Sequence, residues 1–269
     1  MFTLGADPEV FVGDGTNIRS IIGMVGGTKE HPLPLPIGDG FAIQEDNVAL
    51  EYNIPPSGSR ELFVGNIATA MQFIETTLND RMGLQFVRDS ALSFPDSELQ
   101  HPLAHVFGCE PDYNAWTGRM NRVPKAADKN LRSCGGHVHI GIANTKYAQL
   151  PVKEVIKACD LMLGVPSVLM DTGDLRKQLY GKAGAHRIKS YGPEYRTLSN
   201  FWIFSKHLTS WVYDNVERAL EAVYNGMSFE EDGKLIQSCI NENIKPLAER
   251  LVGKYQLQVV WRTKNVSGN

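Results

Sequence analysis

Polar or ionisable side chains stand at even spacing in four separate stretches rich in β-formers, and this pattern restricts the fold more than any other feature. The stretches are "GADPEVFV" with Asp7 and Glu9, "QEDNVALEYN" with Glu45, Glu51 and Asn53, "GGHVHIGIA" with His137 and His139, and "PEYRTLS" with Glu194 and Arg196. On a strand, residues two apart point the same way, about 6.6 Å apart at a rise of roughly 3.3 Å per residue. Asp7 and Glu9 therefore share a face opposite Val10 and Val12, and Glu45, Glu51 and Asn53 share another by the same parity. His137, His139 and Gly141 lie opposite Val138, Ile140 and Ile142. An alternating strand with one charged side is ordinarily a solvated sheet face. Solvated faces, however, mix lysines with glutamates, whereas Asp7, Glu9, Glu45 and Glu51 have no lysine within their own strands. Gathered in one sheet, these carboxylates would repel and raise one another's pKa. Bound divalent cations are the natural relief.

Carboxylates with a single histidine suit hard ions such as Mg²⁺ or Mn²⁺, which prefer oxygen ligands and retain water. His137, His139 and one glutamate make a second, zinc-type set, against which the absence of a His-Glu-x-x-His helix counts. Later in the chain, "GDLRKQLYGKAGAHRIKSYGPEYR" carries Arg176, Lys177, Lys182, Arg187, Lys189 and Arg196. Part of it reads as an ordinary basic surface loop. Yet divalent ions ringed by arginines are how proteins hold nucleoside triphosphates for phosphoryl transfer. Neither a Walker Gly-x-x-x-x-Gly-Lys-Ser/Thr run nor a Rossmann Gly-x-Gly-x-x-Gly after a strand is present. A nucleotide site here is expected on sheet carboxylates and arginines.

The rest of the chain sets the frame. "FTLGADPEVFV" reads as a strand paired with "NIRSIIGM", and "VGGTKEHPLPLPIGDG" as a Gly/Pro-rich loop. "FAIQEDNVALEYNI" gives one or two strands, stopped at Pro55 and Pro56. A helix is expected from about Ser59, its N-cap, to Arg81, burying Phe63, Ile67, Ala70, Met71, Ile74 and Leu78. "LQFVRDSALSF" is strand-like, and 95–132, with Trp116, Arg119 and Arg122, has little periodicity and is a candidate for substrate contacts. Further helices are expected from Pro151 to about Leu163, from Ser205 to Asn225, and last from a Ser228/Glu231 capping box. Between them, a basic loop and a short strand occupy "GAHRIKSYGPEYRTLS". A net charge of −3 argues against a protein built to neutralise nucleic-acid phosphates. Cys109, Cys134, Cys159 and Cys239 form no Cys-x-x-Cys pair, hence neither a disulfide framework nor a zinc knuckle. No apolar run approaches the roughly 20 residues of a membrane span, and "MFTLGADPEVFV" lacks the layout of a secretion signal. A single α+β domain, 1–269, mainly helical from about 203, is the expectation.

Four of these stretches resemble, in order, those of a known superfamily. "GADPEVFV" is similar to the first metal-binding strand of glutamine synthetases, and "QEDNVALEYN" to their middle pair of acidic ligands. "CGGHVHIG" resembles the Gly-rich His-x-His strand they share with glutamate–cysteine ligases, and "PEYRTLS" their later Glu-x-Arg strand. Through "YGKAGAHR" and "YGPEYRTLSNFW" the likeness extends to the COOH–NH2 ligase-like proteins of tailed phages, from about Thr3 to Trp202. The resemblance implies a glutamine-synthetase-like, curved, mostly antiparallel sheet backed by helices, with ATP and Mg²⁺ or Mn²⁺ in its concave face. It implies metal ligation by Asp7, Glu9, Glu45, Glu51, His137 and Glu194. His139, Arg187, Lys189 and Arg196 would bind the nucleotide, and Glu51, Arg187 and Arg196 would act catalytically. Asp7 stands where the family more usually has glutamate, and Asp46 would replace Glu45 if the strand bulges. The implied reaction joins a small carboxylate to an amine, amino acids or a peptide among them, through an acyl phosphate. A guanidino kinase of the same fold, a zinc-dependent hydrolase and a non-catalytic nucleotide-binding module are the alternatives. No nucleic acid beyond ATP and no membrane partner is expected. The setting would be cytoplasmic, that of the host for a phage-encoded chain, and the helical C-terminal half offers surfaces for a homo-oligomer.

Overall fold

The alternation read in the sequence becomes one large antiparallel sheet with helices against its apolar face. The computed structural model describes residues 1–106, 112–122 and 127–261. Its chain begins with strands β1 (Thr3–Ala6), β2 (Glu9–Gly13), β3 (Ile18–Arg19), β4 (Leu33–Pro34), β5 (Ala42–Asp46) and β6 (Ala49–Ser57). Helix α1 (Arg60–Met82) follows, then β7 (Gln85–Val87), β8 (Ala91–Ser93), β9 (Tyr113–Asn114), β10 (Leu131–Ser133) and β11 (Val138–Gly141). Helix α2 (Val152–Cys159) runs through a π turn at Asp160–Gly164 into α3 (Val165–Met170). The hairpin of β12 (Ala185–Lys189) and β13 (Gly192–Tyr195) precedes α4 (Lys206–Tyr224), α5 (Gly233–Asn241) and α6 (Lys245–Tyr255). The main sheet has the order β3-β2-β6-β1-β11-β13-β12-β9, with β4, β5 and β7 branching from it, while β8 and β10 pair separately. It does not close into a barrel among the described residues.

Leu4, Ala6, Leu50, Tyr52, Ile54, Val138, Ile140 and Tyr195 are buried in one core with Phe63, Ile67 and Ile74 of α1. Helix α1 forms where the spacing predicts it. Ser59 accepts the Leu62 N–H at 3.2 Å, Phe63, Ile67, Ala70, Ile74 and Leu78 line the buried side, and Gly83 closes the helix at φ 65°. Met71 is only partly buried. Each fully buried large side chain contributes about 1.5–3 kcal/mol, so this stripe fastens α1 beneath β6. A smaller cluster of Phe11, Ala49, Phe94, Leu99, Ala104 and Cys134 walls the other face at one end.

Several expectations change. Strand β6 does not stop at Pro55 and Pro56: Leu4 pairs with Ser57 and Ala6 with Ile54, so a bulge absorbs one residue. In a bulge the missing proline N–H removes no ladder bond. The basic segment holds a two-stranded hairpin rather than one short strand. The helix beginning after Pro151 continues past Leu163, and its π turn sits just before Pro166, which has no N–H to return to residue 162. The Ser228 capping box does not form; Ser228 Oγ lies 3.5 Å from the Glu230 N–H, α5 starts after Asp232, and α6 is an additional helix. Cys134, Cys159 and Cys239 are free thiols, whereas Cys109 lies outside the described residues. No described helix is long and apolar enough to cross a membrane.

Candidate active site

Register across the sheet, more than spacing along the chain, builds the site. Gly5 of β1 faces His139 of β11, which faces Glu194 of β13, which faces Arg187 of β12. A second row joins Glu9 of β2, Glu51 of β6 and Gln44 of β5. Paired residues share a face, so both rows lie opposite the apolar core. Asp7 sits between β1 and β2 and reaches the first row: its Oδ1 is 3.0 Å from His139 Nε2 and 3.6 Å from His137 Nδ1.

Two groups of potential ligands result. Asp7, His137 and Glu194 each offer one atom, all within 4.8 Å of one another, and so do Glu9, Asp46 and Glu51. Burial and then Asp46 push the Glu9 carboxyl up to about 7. Burial, followed by Asp7, Asp46 and Glu9, holds Glu51 well above the ordinary carboxylate range. Burial would raise Asp7 as well, but His139 and His137 reverse it and leave Asp7 well below its usual value. For His137, burial and Arg196 lower the pKa to about 4, so its imidazole is neutral, as a metal ligand must be. Glu194 is 1 % exposed yet ionised, because Arg196, His137 and His139 outweigh its burial and the Asp7 charge.

Glu45 belongs to neither group. Its carboxylate accepts the backbone N–H groups of Gly23 at 2.8 Å, Val25 at 3.0 Å and Gly26 at 2.7 Å, pinning the Gly-rich loop. The two-residue Asn47-Val48 turn is the cause. Asp46 pairs with Ala49 and Gln44 with Glu51, so even positions on β5 share a face with odd positions on β6. Equal parity, which linked Glu45 to Glu51 in the sequence, therefore separates them without any bulge. Asp46 takes the place.

Cations close the other side. Arg196 donates from Nη1 to Glu194 Oε1 and lies 3.2 Å from His137 Nδ1. Arg187 Nη1 is 3.7 Å and Lys189 Nζ 3.8 Å from the Glu194 carboxylate. His139 Nδ1 bonds the Tyr191 hydroxyl, which no spacing argument had flagged. Asp112 is a second addition, its Oδ2 3.7 Å from Arg196 Nε. The paired glycines before His137 have a steric reason: a Cβ on Gly135 would collide with the His137 ring, and one on Gly136 with the Ser199 carbonyl and Trp202. Gly135 also donates its N–H to Glu9 Oε2 at 2.6 Å, holding that carboxylate in place. Of the substrate-loop candidates, Trp116 donates to buried Asp160 at 2.6 Å and is a support, while Arg119 and Arg122 are exposed. Lys182 points away, onto the Asn241 carbonyl at 3.2 Å.

The donor set fits a hard divalent cation. Mg²⁺ binds oxygens at about 2.0–2.1 Å, so ligands across an ion stand about 4 Å apart, close to the spread of each group. Asp7 Oδ1 and His139 Nε2 are buried without an aligned hydrogen bond, the condition of atoms waiting for a further partner.

No curated protein sequence matches the chain. Residues 127–225, under half of the chain, match the family model described as phage phiEco32-like COOH.NH2 ligase-type 2, whose name is that of a carboxylate–amine ligase; the matched stretch holds His137, His139, Arg187, Glu194 and Arg196 but not Asp7, Glu9, Asp46 or Glu51.

Proposed function

We propose that this chain is an ATP-dependent carboxylate–amine ligase working through an acyl phosphate, on a glutamine-synthetase-like sheet with Mg²⁺ or Mn²⁺ at its acidic face. One observation carries the reading: two three-ligand groups stand on one sheet face, bordered by Arg187, Lys189 and Arg196. The family match over residues 127–225 supports the acid and amine as substrates. Bound at Asp7, His137 and Glu194 and at Glu9, Asp46 and Glu51, the cations would neutralise a triphosphate's charge.

The chain's own residues supply the rest. A carboxylate is a poor electrophile; phosphorylating it turns the leaving group into phosphate. Arg196 and Arg187 are placed to offset charge on the transferring phosphoryl group, a contact typically worth about 3–4 kcal/mol. His139, oriented by Tyr191, would lie beside the phosphates of a bound nucleotide. Glu51 is the carboxylate assigned to take the proton of the attacking amine, a role open to it once a bound cation has displaced the proton that its burial favours.

The test is to incubate the protein with ATP, Mg²⁺, hydroxylamine and a panel of carboxylic acids. A hydroxamate formed with one equivalent each of ADP and inorganic phosphate is expected. ADP without phosphate would mean a kinase, activity without ATP in a zinc-bearing preparation a hydrolase, and ATP-dependent thermal stabilisation without ADP release a binding module; each overturns the proposal.

A further inference from the structure

Asp160 takes no part in either ligand group. It stands in the π turn between α2 and α3, behind the sheet, and is 0 % exposed. A carboxylate so deeply buried is costly unless donors surround it. Here they do. Trp116 Nε1 donates at 2.6 Å and the Tyr195 hydroxyl at 2.9 Å, the Thr197 hydroxyl lies at 3.3 Å, and the Gly184 backbone N–H also favours the charged form. Thr197 shares its one proton with the Lys182 carbonyl at 3.1 Å, so Tyr195 is the firmer link. Burial raises the Asp160 carboxyl to about 6 despite these donors, which leaves it mostly ionised at neutral pH.

The donors come from one edge of the sheet. Trp116 follows β9, Gly184 precedes β12, and Tyr195 ends β13 with Thr197 just beyond it. The same β12–β13 segment carries Arg187, Lys189, Glu194 and Arg196. Arg196 lies one residue past Tyr195, the last paired residue of β13. Its N–H still reaches the Ala185 carbonyl at 2.9 Å, but that bond fixes the backbone and not the side chain. Successive side chains of an extended chain alternate between faces. Drawing Tyr195 and Thr197 back onto Asp160 therefore sends Glu194 and Arg196 forward to the acidic face. The π turn is shaped for this contact, since a Cβ on Gly164 would come within 2.9 Å of the Tyr195 hydroxyl. We propose that Asp160 is a positioning residue for phosphoryl transfer: by holding Tyr195 and Thr197 from behind the sheet, it fixes the Arg196 guanidinium on the acidic face. Its part in the chemistry rests on the ligase reading, whereas the clamp on Arg196 does not.

The test follows the Arg196 Nε–H resonance of the intact ¹⁵N-labelled protein without ligands, assigned by its loss in Arg196→Lys, and separately the kinetics of hydroxamate formation. In wild type the group should be as ordered as rigid backbone, with an order parameter of about 0.85; in Asp160→Asn it should fall below about 0.6. In Asp160→Asn kcat should drop about 10- to 100-fold, with KM for ATP changed less than about threefold, because the displaced contact belongs to the transition state. Tyr195→Phe, which removes only the hydroxyl, should show both effects in smaller measure. Trp116→Phe removes a donor to the same carboxylate but none from β13, and should lower the melting temperature while leaving both readouts unchanged. An ordered Arg196 group or an unchanged kcat in folded Asp160→Asn would overturn the proposal, and so would equal effects in Trp116→Phe. If Asp160→Asn does not fold, Tyr195→Phe decides by the same two readouts. A wild type that makes no hydroxamate sinks the ligase reading alone, since the resonance is read without substrate. A resonance that no variant moves, in an enzyme that makes hydroxamates, sinks the positioning role alone.

Discussion

At the scale of single residues, Glu45 and Asp46 are neighbours with opposite work. Glu45 ties down three backbone N–H groups of the Gly-rich loop, whereas Asp46 joins Glu9 and Glu51. Hydrogen bonds to a charged group contribute about 1.5–3 kcal/mol each, with part regained from water. Glu45→Ala is therefore expected to cost about 2–4 kcal/mol in urea denaturation while leaving Mn²⁺ affinity within about threefold. Asp46→Ala should show the reverse, a large loss of Mn²⁺ binding at little cost in stability; matching results for the two would show that they share a role. Lys177 gives a pH signature. Its partly buried ammonium donates to the carbonyls of Gly181 and Thr197, and desolvation, then Arg176, lowers its pKa from 10.5 to about 7. The unfolded chain keeps that proton up to about 10.5 and the folded one releases it near 7. Stability should therefore rise between about pH 7 and 10.5, by no more than about 1.4 kcal/mol per pH unit and less after solvent screening. Lys177→Met should flatten that rise, and an unchanged slope would assign it to other groups.

At the scale of elements, the β5–β6 hairpin decides which acids meet. Asn47 holds its turn at φ 55°, and its amide donates to the carbonyls of Leu103, Ala104 and Val106. Left-handed backbone is costly for a residue with a Cβ and free for glycine. Asn47→Gly and Asn47→Ala both lose the side-chain ties, but Ala should be less stable than Gly by about 1 kcal/mol in urea denaturation. Equal stability would mean that the turn is not held at positive φ. The expected strands and first helix formed because alternation and caps are local signals. Pro55 and Pro56, by contrast, read locally as a stop but sit inside β6, since a bulge exists only relative to a partner strand.

At the scale of the whole molecule, one sheet carries a dry face and a charged one. Helices bury the first, and on the second, burial and mutual repulsion of Glu9, Asp46 and Glu51 outweigh the Gly135 N–H and the more distant cations among the described residues. With the cations of the proposed reading, Mg²⁺ or Mn²⁺ should raise the melting temperature in a concentration-dependent way, adding about 2.7 kcal/mol of stability at one hundred times Kd. Chelator-treated Asp46→Asn/Glu51→Gln should melt above chelator-treated wild type and gain less from Mn²⁺, because the repulsion has been removed together with the site. A metal-free wild type that already melts as high as this variant would contradict the account.

The sequence by itself determined which residues are charged on alternating strands, where α1 begins and ends, and that Asp7, Glu9, Glu51, His137, His139 and Glu194 are candidates for one face. Those facts follow from side-chain periodicity and end-capping, which act within a few residues. Only the tertiary structure decided that Asp46 rather than Glu45 completes the acidic group, that Asp7 turns to the histidines while Glu9 turns to Glu51, and that Arg176 is buried with no carboxylate within 4.0 Å among the described residues. Cross-strand register, a two-residue turn and burial are relations between distant segments, and no stretch of chain contains them alone.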